Sequence, residues 1–334
     1  MEWSGTDTLV TGGASFIGSH LVEALLERGA GVRVIDNLSS GRRGYIEPLD
    51  VEFIEGDLLE QETARRAVAN IDIVFHLAAD HGGRGYVDLH QAACATNLAL
   101  DGNLFLAAVE AGVDKVVYAS SGCVYPNFRS EDPDETLYLA EDLAGPPYDA
   151  DNMYGWAKLM GEMTLQHYAR ERGLNAASCR YFTVYGERGK EDHAVIAMIA
   201  RAFIKQDPFV VWGTGRQIRN WTYVGDIVEG TIRVAERIDD GTAVNLGTME
   251  RTSVLEAVEK VMGYTGHHAE IELRPEMPTG PQNRVAENSL AMKLLDWEPK
   301  VHFVEGLHRT IDWYFSTKDP REVADLLEAA LTER

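Results

Sequence analysis

Thr8-Leu9-Val10-Thr11-Gly12-Gly13-Ala14-Ser15-Phe16-Ile17-Gly18 runs from an apolar, strand-like segment through a glycine turn into the amphipathic stretch 19–28. A strand, a glycine turn and a helix start in that order form the setting in which a dinucleotide is held, its pyrophosphate on the helix-terminal N–H groups. Gly12 and Gly18 occupy outer positions of a T-G-x-x-G-x-x-G pattern, and Phe16 and Ile17 lie in the approach to the pyrophosphate. Ser15 stands at the middle position, where glycine usually lets the backbone come close to the phosphates. A second apolar strand, 31–37, ends in Asp36-Asn37, near the roughly twenty-residue distance of an acid that binds the adenosine ribose. A carboxylate there repels a 2′-phosphate, which favours NAD over NADP.

Strands 51–57 and 71–79 follow, separated by a helical 61–70, and their ends carry Asp57-Leu58 and Leu77-Ala78-Ala79 on the expected cofactor side. This alternation predicts an α/β fold, a doubly wound parallel sheet with helices on both faces. The next loop, Asp80-His81-Gly82-Gly83-Arg84-Gly85, places three glycines where open α/β sheets bind ligands. A long apolar-striped helix interrupted by Gly102 is expected over 87–111, and a strand over 115–121 ends in Ser120-Ser121-Gly122-Cys123-Val124-Tyr125-Pro126. Met153-Tyr154-Gly155-Trp156-Ala157-Lys158 then sets a phenol and an ammonium four residues apart, on one face of a helix to about residue 172. The ammonium is expected to favour the phenolate and lower the phenol's pKa, so that the phenol can take a proton from a hydroxyl.

Beyond a strand in 175–186 the pattern changes to a helical 193–205, the turn-rich 212–219, a strand at 243–247 and a Pro-marked loop before Arg284. The expected organisation is a dinucleotide-binding domain over 1–179, to which 222–247 returns, and a smaller α/β substrate lobe from 180–221 and 248–334. A cleft between them is the expected substrate site.

Composition narrows the partners. The 334 residues are 45% hydrophobic, and no apolar run is expected to reach the roughly 20 residues that span a bilayer. A formal net charge of −22 repels nucleic acid and anionic membrane. Cys94, Cys123 and Cys179 lie outside any C-x-x-C spacing, so reduced thiols in a cytoplasmic protein are expected, with no zinc site and no metal.

Thr11-Gly12 with Gly18, Asp36, Asp57, Ser120-Ser121 and Tyr154-x-x-x-Lys158, in this order, resemble the extended short-chain dehydrogenase/reductase family, whose dinucleotide domain is Rossmann-like. Trp221 and Val224-Gly225-Asp226 extend the resemblance into its NDP-sugar epimerase and dehydratase branch, over about 9–315. The resemblance implies NAD as cofactor, Ser121 and Tyr154 at the reacting hydroxyl, Lys158 on the nicotinamide ribose and Tyr181 on the cofactor side. It further implies a nucleotide-sugar substrate and a homodimer formed by helices 87–111 and 154–172.

Within that branch, 4,6-dehydratases usually carry an acidic residue where this chain has Gly122-Cys123, which counts against a dehydratase. The turn from Ser120 to Pro126 and the loop from Ala79 to Gly85 look most like the GDP-mannose 3,5-epimerases, in which the cysteine is an acid/base at the sugar. Oxidising C4 to a ketone acidifies the hydrogens at C3 and C5, so two proton-transfer groups must flank the ring. A thiol can be one. The family's second group is a lysine, aligned here with His193; an imidazole can do that work, with Lys190 as the rival.

Arg219 and Arg284 match positions that contact the diphosphate, Gln217 assists, and Gly83, Arg84 and Thr183 are expected at the substrate, Thr183 replacing a family asparagine. The alternatives are a C4 epimerase of a UDP-hexose or UDP-hexuronate, with Cys123 merely packing, and a catalytically inactive dinucleotide sensor.

Overall fold

The computed structural model describes residues 2–332. Its centre is a seven-stranded sheet built from β1 (Asp7–Thr11), β2 (Gly31–Asp36), β3 (Glu52–Glu55), β4 (Ile73–His76), β5 (Lys115–Ser121), β6 (Asn175–Tyr181) and the strand Asp240–Leu246. The order is β3-β2-β1-β4-β5-β6 followed by Asp240–Leu246, with every pair parallel. Every residue of β4 and six of the seven in β5 are buried, as expected for strands covered on both faces. The order reverses direction between β1 and β4. The glycine turn after β1 and the loop after β4 therefore flank a topological switch point, where such sheets open a crevice.

Helices α1 (Phe16–Glu27) and α8 (Val224–Arg237) cover one face. The other is covered by α2 (Gln61–Val68), α5 (Asn97–Ala111) and α6 (Asn152–Arg172). The expected single helix over 87–111 is instead three, α3 (Arg84–Leu89), α4 (Gln91–Ala95) and α5, separated at His90 and Thr96. Gly102 interrupts nothing: it lies inside α5 on the exposed side, with no atom within 4 Å of a Cβ there. The length expectation also needs correcting. Gln91–Ala111 is 21 residues of mean hydropathy 1.3, long and apolar enough by length and composition to cross a membrane. Its Leu100, Leu104 and Phe105 are buried in the core against the sheet, and Asn97 and Asp101 point into buried hydrogen bonds.

The second lobe has its own core around Phe209, Trp221 and Tyr314, enclosed by α7 (Ala194–Phe203) and the helices Val254–Thr265 and Phe303–Thr317. Ile218–Arg219 is the middle strand of three, antiparallel to Thr252–Ser253 and parallel to Asn283–Arg284. That register sets Arg219 directly beside Arg284.

Candidate active site

The cofactor end is built by close backbone approaches. Gly12 has φ +67°, and a Cβ there would lie 3.0 Å from Ala78 N; a Cβ on Gly18 would fall 2.2 Å from the Gly12 carbonyl oxygen. Only glycine fits either place. Ser15, by contrast, has an ordinary extended backbone (φ −92°, ψ −176°) and donates its hydroxyl back to the Gly12 carbonyl, so the serine does not block the first turn of α1. Thr11 Oγ1 accepts the N–H groups of Leu77 and Ala78 at 3.0 and 2.9 Å, joining the β1 and β4 turns. Asp36 accepts N–H from Ala14 (3.0 Å) and Leu38 (2.9 Å), one on each oxygen, which leaves a lone pair on each for a ribose hydroxyl. Beside it Asn37 donates to Asp57 at 3.1 Å, and Leu58 is buried beneath. Ser15, Phe16, Ile17, Leu77, Ala79 and Tyr181 line the inner crevice. This cradle fits a dinucleotide.

The crevice and the cleft it opens into form one cavity of about 920 Å³, which carries Ser121, Cys123, Tyr154, Lys158 and His193 on its walls beyond the cofactor end. Ser121 ends β5, and its Oγ accepts Cys123 N–H at 3.1 Å and hydrogen-bonds the Tyr154 phenol. Helix α6 is fastened to this turn twice. Asp151 N–H donates to the Cys123 carbonyl at 2.9 Å, and Gly155 packs so closely that a Cβ would lie 2.3 Å from the same oxygen. The thiol and the phenol are thereby held in one rigid unit.

Lys158 is buried with Nζ 4.6 Å from the Tyr118 ring centre and 5.9 Å from that of Tyr154. Behind it a buried chain runs from Thr11 Oγ1 to His76 Nδ1 (2.8 Å), from His76 Nε2 to Asp101 (3.0 Å), and from the Tyr118 hydroxyl to Asp101 (2.6 Å). The electrostatics correct one expectation. Burial pushes the Tyr154 phenol well up rather than down, and burial lowers Lys158 against the opposing charges of Asp101 and Glu162. Desolvation outweighs the Ser121 hydrogen bond that favours the phenolate.

The substrate side is a cluster of three arginines around one carboxylate. Arg84 donates to both oxygens of Asp151 at 3.0 and 2.8 Å, and Arg284 Nη1 reaches Asp151 at 3.1 Å and Cys123 Sγ at 3.2 Å. Arg284 Nε and Nη2 and Gln217 Oε1 are buried without partners. Burial and the charges of Arg284 and Arg84 push Arg219 down to about 9. Arg219, Arg284, Gln217, Arg84, Gly83 and Thr183 all face the cleft.

Asp151 is a residue that sequence reasoning missed. It precedes α6 at the N-cap position, a readable signal, yet its side chain makes no cap and serves the arginines instead.

The glycine loop after β4 approaches the chain itself. A Cβ on Gly83 would lie 1.9 Å from the Asp192 carbonyl oxygen, and Gly83 N–H donates to Asp192 Oδ2 at 3.1 Å. This docks the segment before α7 and brings His193 to the cleft beside His81, which was not singled out in the sequence although it lies in the loop that was. Lys190 lies within electrostatic reach of Asp36, toward the cofactor end, as well as of His81 and His193.

A family model described as the NAD dependent epimerase/dehydratase family matches residues 8–247. GDP-mannose 3,5-epimerase 1 of Oryza sativa subsp. indica is 29% identical over 309 residues, which cover 91% of this chain and 80% of that protein. A UDP-N-acetyl-alpha-D-glucosaminuronate decarboxylase of Bacillus cytotoxicus is 32% identical over 320 residues, covering 92% and 97%. Among solved structures, UDP-glucuronic acid 4-epimerase from Bacillus cereus, in complex with UDP-glucuronic acid and NAD, is similar with a TM-score of 0.84 at 29% identity, covering 94% of this chain and all of that one. The match spans the dinucleotide cradle, Tyr154 and Lys158 and continues past them, so the chain belongs to the NAD dependent epimerase/dehydratase family, as an enzyme that uses NAD on a nucleotide sugar.

Proposed function

We propose that the protein is a nucleotide-sugar epimerase that works through a transient 4-keto sugar and inverts ring carbons beside the ketone, as in the GDP-mannose 3,5-epimerases. The observation that carries this reading is the rigid placement of Cys123 against Tyr154, through Gly155 and the Asp151 N–H bond. A merely packing cysteine has no need to face the cleft.

Bound NAD supplies a reversible hydride acceptor and a positively charged ring that favours the Tyr154 phenolate. Tyr154 removes the C4 hydroxyl proton while Ser121 holds the same oxygen. Lys158 orients the ribose and adds positive charge. Once C4 is a ketone, Cys123 exchanges a proton on one side of the ring and the His193 end of the cleft serves the other. Lys190, within electrostatic reach of both His81 and His193 as well as of Asp36, is the rival for that role. Arg219 and Arg284 hold the diphosphate, the unpartnered Nε and Nη2 of Arg284 being donors that an anion would satisfy.

Incubation with GDP-mannose in D₂O, read by NMR, is expected to place deuterium at C3 and C5, and Cys123→Ser to abolish net epimerisation. A second reading, a C4 epimerase of a UDP-hexuronate, is favoured by the Arg284 guanidinium lying at Cys123, where it could grip a sugar carboxylate. In that case UDP-glucuronic acid turns over without ring-carbon exchange and Cys123→Ser stays active.

A homodimer is proposed on the exposed apolar residues Leu98 and Leu106 of α5 and Trp156 and Met160 of α6. Light scattering of the wild type and of Met160→Lys tests it, a wild-type monomer refuting the proposal.

A further inference from the structure

One wall of the cleft carries more imidazole than the epimerase reading uses. His81 and His193 have ring centroids 6.0 Å apart with planes tilted by 43°, and both line the cleft. Their spacing is enforced. Gly83 clamps the loop onto Asp192, and Glu191 fastens the far side of the segment by accepting from the Tyr314 hydroxyl at 3.0 Å and Lys318 Nζ at 2.7 Å.

The two rings are not equivalent. His81 feels the charge of Lys158 on α6 together with His193, Lys190 and Asp192, whereas His193 feels only Asp192 and Lys190 of its own segment. Both rings are half-buried; His81 is the one within electrostatic reach of Lys158 on the catalytic wall, and His193, its side chain 26% exposed, has Nε2 3.8 Å from Asp192 Oδ1.

We propose that His81 is the residue that exchanges a proton with the sugar carbon on this wall, and that His193 passes that proton between His81 and solvent. The sugar step rests on the epimerase reading; the coupling of the two rings does not. In the forward direction the C–H bond beside the ketone breaks, its electron pair enters the enolate, and the proton goes to a neutral His81 nitrogen. It then moves to His193 and to water. Cys123 Sγ–H returns one proton to the opposite face, and the thiolate recovers one from water, so the balance closes. Burial, with the charges of His193, Lys190 and Lys158, pushes His81 down to about 3; burial lowers His193 too, and Asp192 opposes the fall at both rings, as the leading charge at His193 and the weakest at His81. A proton arriving at His81 is thus driven toward His193.

The test uses the NAD-bound protein in D₂O with GDP-mannose and UDP-glucuronic acid. His81→Ala is expected to lower exchange at the ring carbon on this wall by about a hundredfold or more, the scale of a lost general base. Oxidation at C4, seen as reduction of the bound nicotinamide, should persist, and added imidazole should restore part of the exchange. Wild-type exchange in His81→Ala, or a loss that imidazole does not relieve, overturns the proposal. If the wild type shows no ring-carbon exchange, the epimerase reading and the sugar step fall together. The coupling is then read by NMR of ¹⁵N-histidine protein. His193→Phe should raise the His81 titration by roughly 0.5 to 2 units, the Coulomb range at this spacing between water-like and protein-like screening. An unmoved His81 titration refutes the pair outright.

Discussion

Gly155→Ala is the sharpest perturbation of the catalytic wall. The new Cβ would sit 2.3 Å from the Cys123 carbonyl oxygen and 3.1 Å from its carbon, both of them backbone atoms that no rotamer can move aside. A carbon-to-oxygen contact normally settles near ~3.3 Å, so α6 and the 122–124 turn must separate by about 1 Å. Alanine gains roughly 0.5–1 kcal/mol over glycine inside a helix, while forcing a methyl into a packed interface costs about 1–3 kcal/mol. Stability should therefore fall by no more than about 2.5 kcal/mol, and melting by several degrees. Catalysis should suffer far more, because a misplacement of about 1 Å between reacting groups costs on the order of a hundredfold. Steady-state kinetics with the active nucleotide sugar, beside a thermal melt and the bound NAD content, separate the two effects. Gly263→Ala is the control: with nothing within 4 Å and an exposed position in the helix Val254–Thr265, it should gain roughly 0.5–1 kcal/mol and leave kcat unchanged. A Gly155→Ala enzyme that melts higher and keeps kcat within twofold would refute the rigid coupling of Cys123 to Tyr154.

Gly83→Ala should push the Asp192 backbone away from the loop, with activity lost while NAD stays bound; unchanged kinetics would show that the segment before α7 is not held by this contact. Glu162→Gln should cost about 3–5 kcal/mol in urea unfolding, since Arg180 donates to both Glu162 oxygens at 2.9 and 2.8 Å in a fully enclosed pair and would be left charged and buried. Burial opposes the charge of Asp151, but Arg284 and Arg84 outweigh it and hold the carboxyl below the usual range. Its contribution to stability is thus present above the unfolded value near ~3.9 and is lost as pH falls through the folded value. The stability gap between wild type and Asp151→Asn should accordingly narrow below about pH 4, and a gap constant from pH 7 to 3 would contradict this. Ser15→Gly should change NAD affinity by less than about twofold in calorimetry, because the backbone at 15 already sits in a region any residue adopts.

The sheet was legible because its signals are local. Buried parallel strands read as apolar runs, and Gly12 and Gly18 sit at a spacing only one kind of turn requires. Tyr154 and Lys158 were legible for the same reason, as a helical repeat. What escaped depended on partners distant in sequence. The break of the 87–111 stretch at His90 and Thr96 leaves no glycine or proline behind, whereas Gly102, which does look like a breaker, faces open space. The glycines of the loop after β4 read as room for a ligand, but Gly83 is small because Asp192, more than a hundred residues away, needs the space. His81 was hidden behind that reading. The Tyr154 pKa went astray because the spacing to Lys158 is written in the sequence while the depth of burial is not.

The distribution of charge explains how so acidic a chain can hold an acidic substrate. A net charge of −22 repels a nucleoside diphosphate at long range, but at physiological salt that field fades over about 8 Å, so the charges inside the cleft decide binding. There Arg84, Lys158, Lys190, Arg201, Arg219 and Arg284 outnumber the acids Asp88, Asp151, Glu191 and Asp192 along the ligand space. Asp151 does more than neutralise. It takes Nη1 of Arg84, whose Nε and Nη2 go to Asp88, and Nη1 of Arg284, and so leaves Nε and Nη2 of Arg284 unsatisfied and fixed in place. A guanidinium already oriented loses little freedom when an anion arrives, and its two buried unpaired donors gain hydrogen bonds on binding. The register that pairs Arg284 with Arg219 adds a second charge, and the like-charge repulsion that lowers Arg219 is relieved when an anion lies between the two. On the proposed reading the diphosphate is held by Arg219 and Arg284 of the small lobe, while the proton chemistry is shared between Cys123 and Tyr154 of the large lobe and His193 of the small one. The arginine–cysteine contact at Cys123 is where the two meet, and a change at Arg284 should alter both KM and kcat.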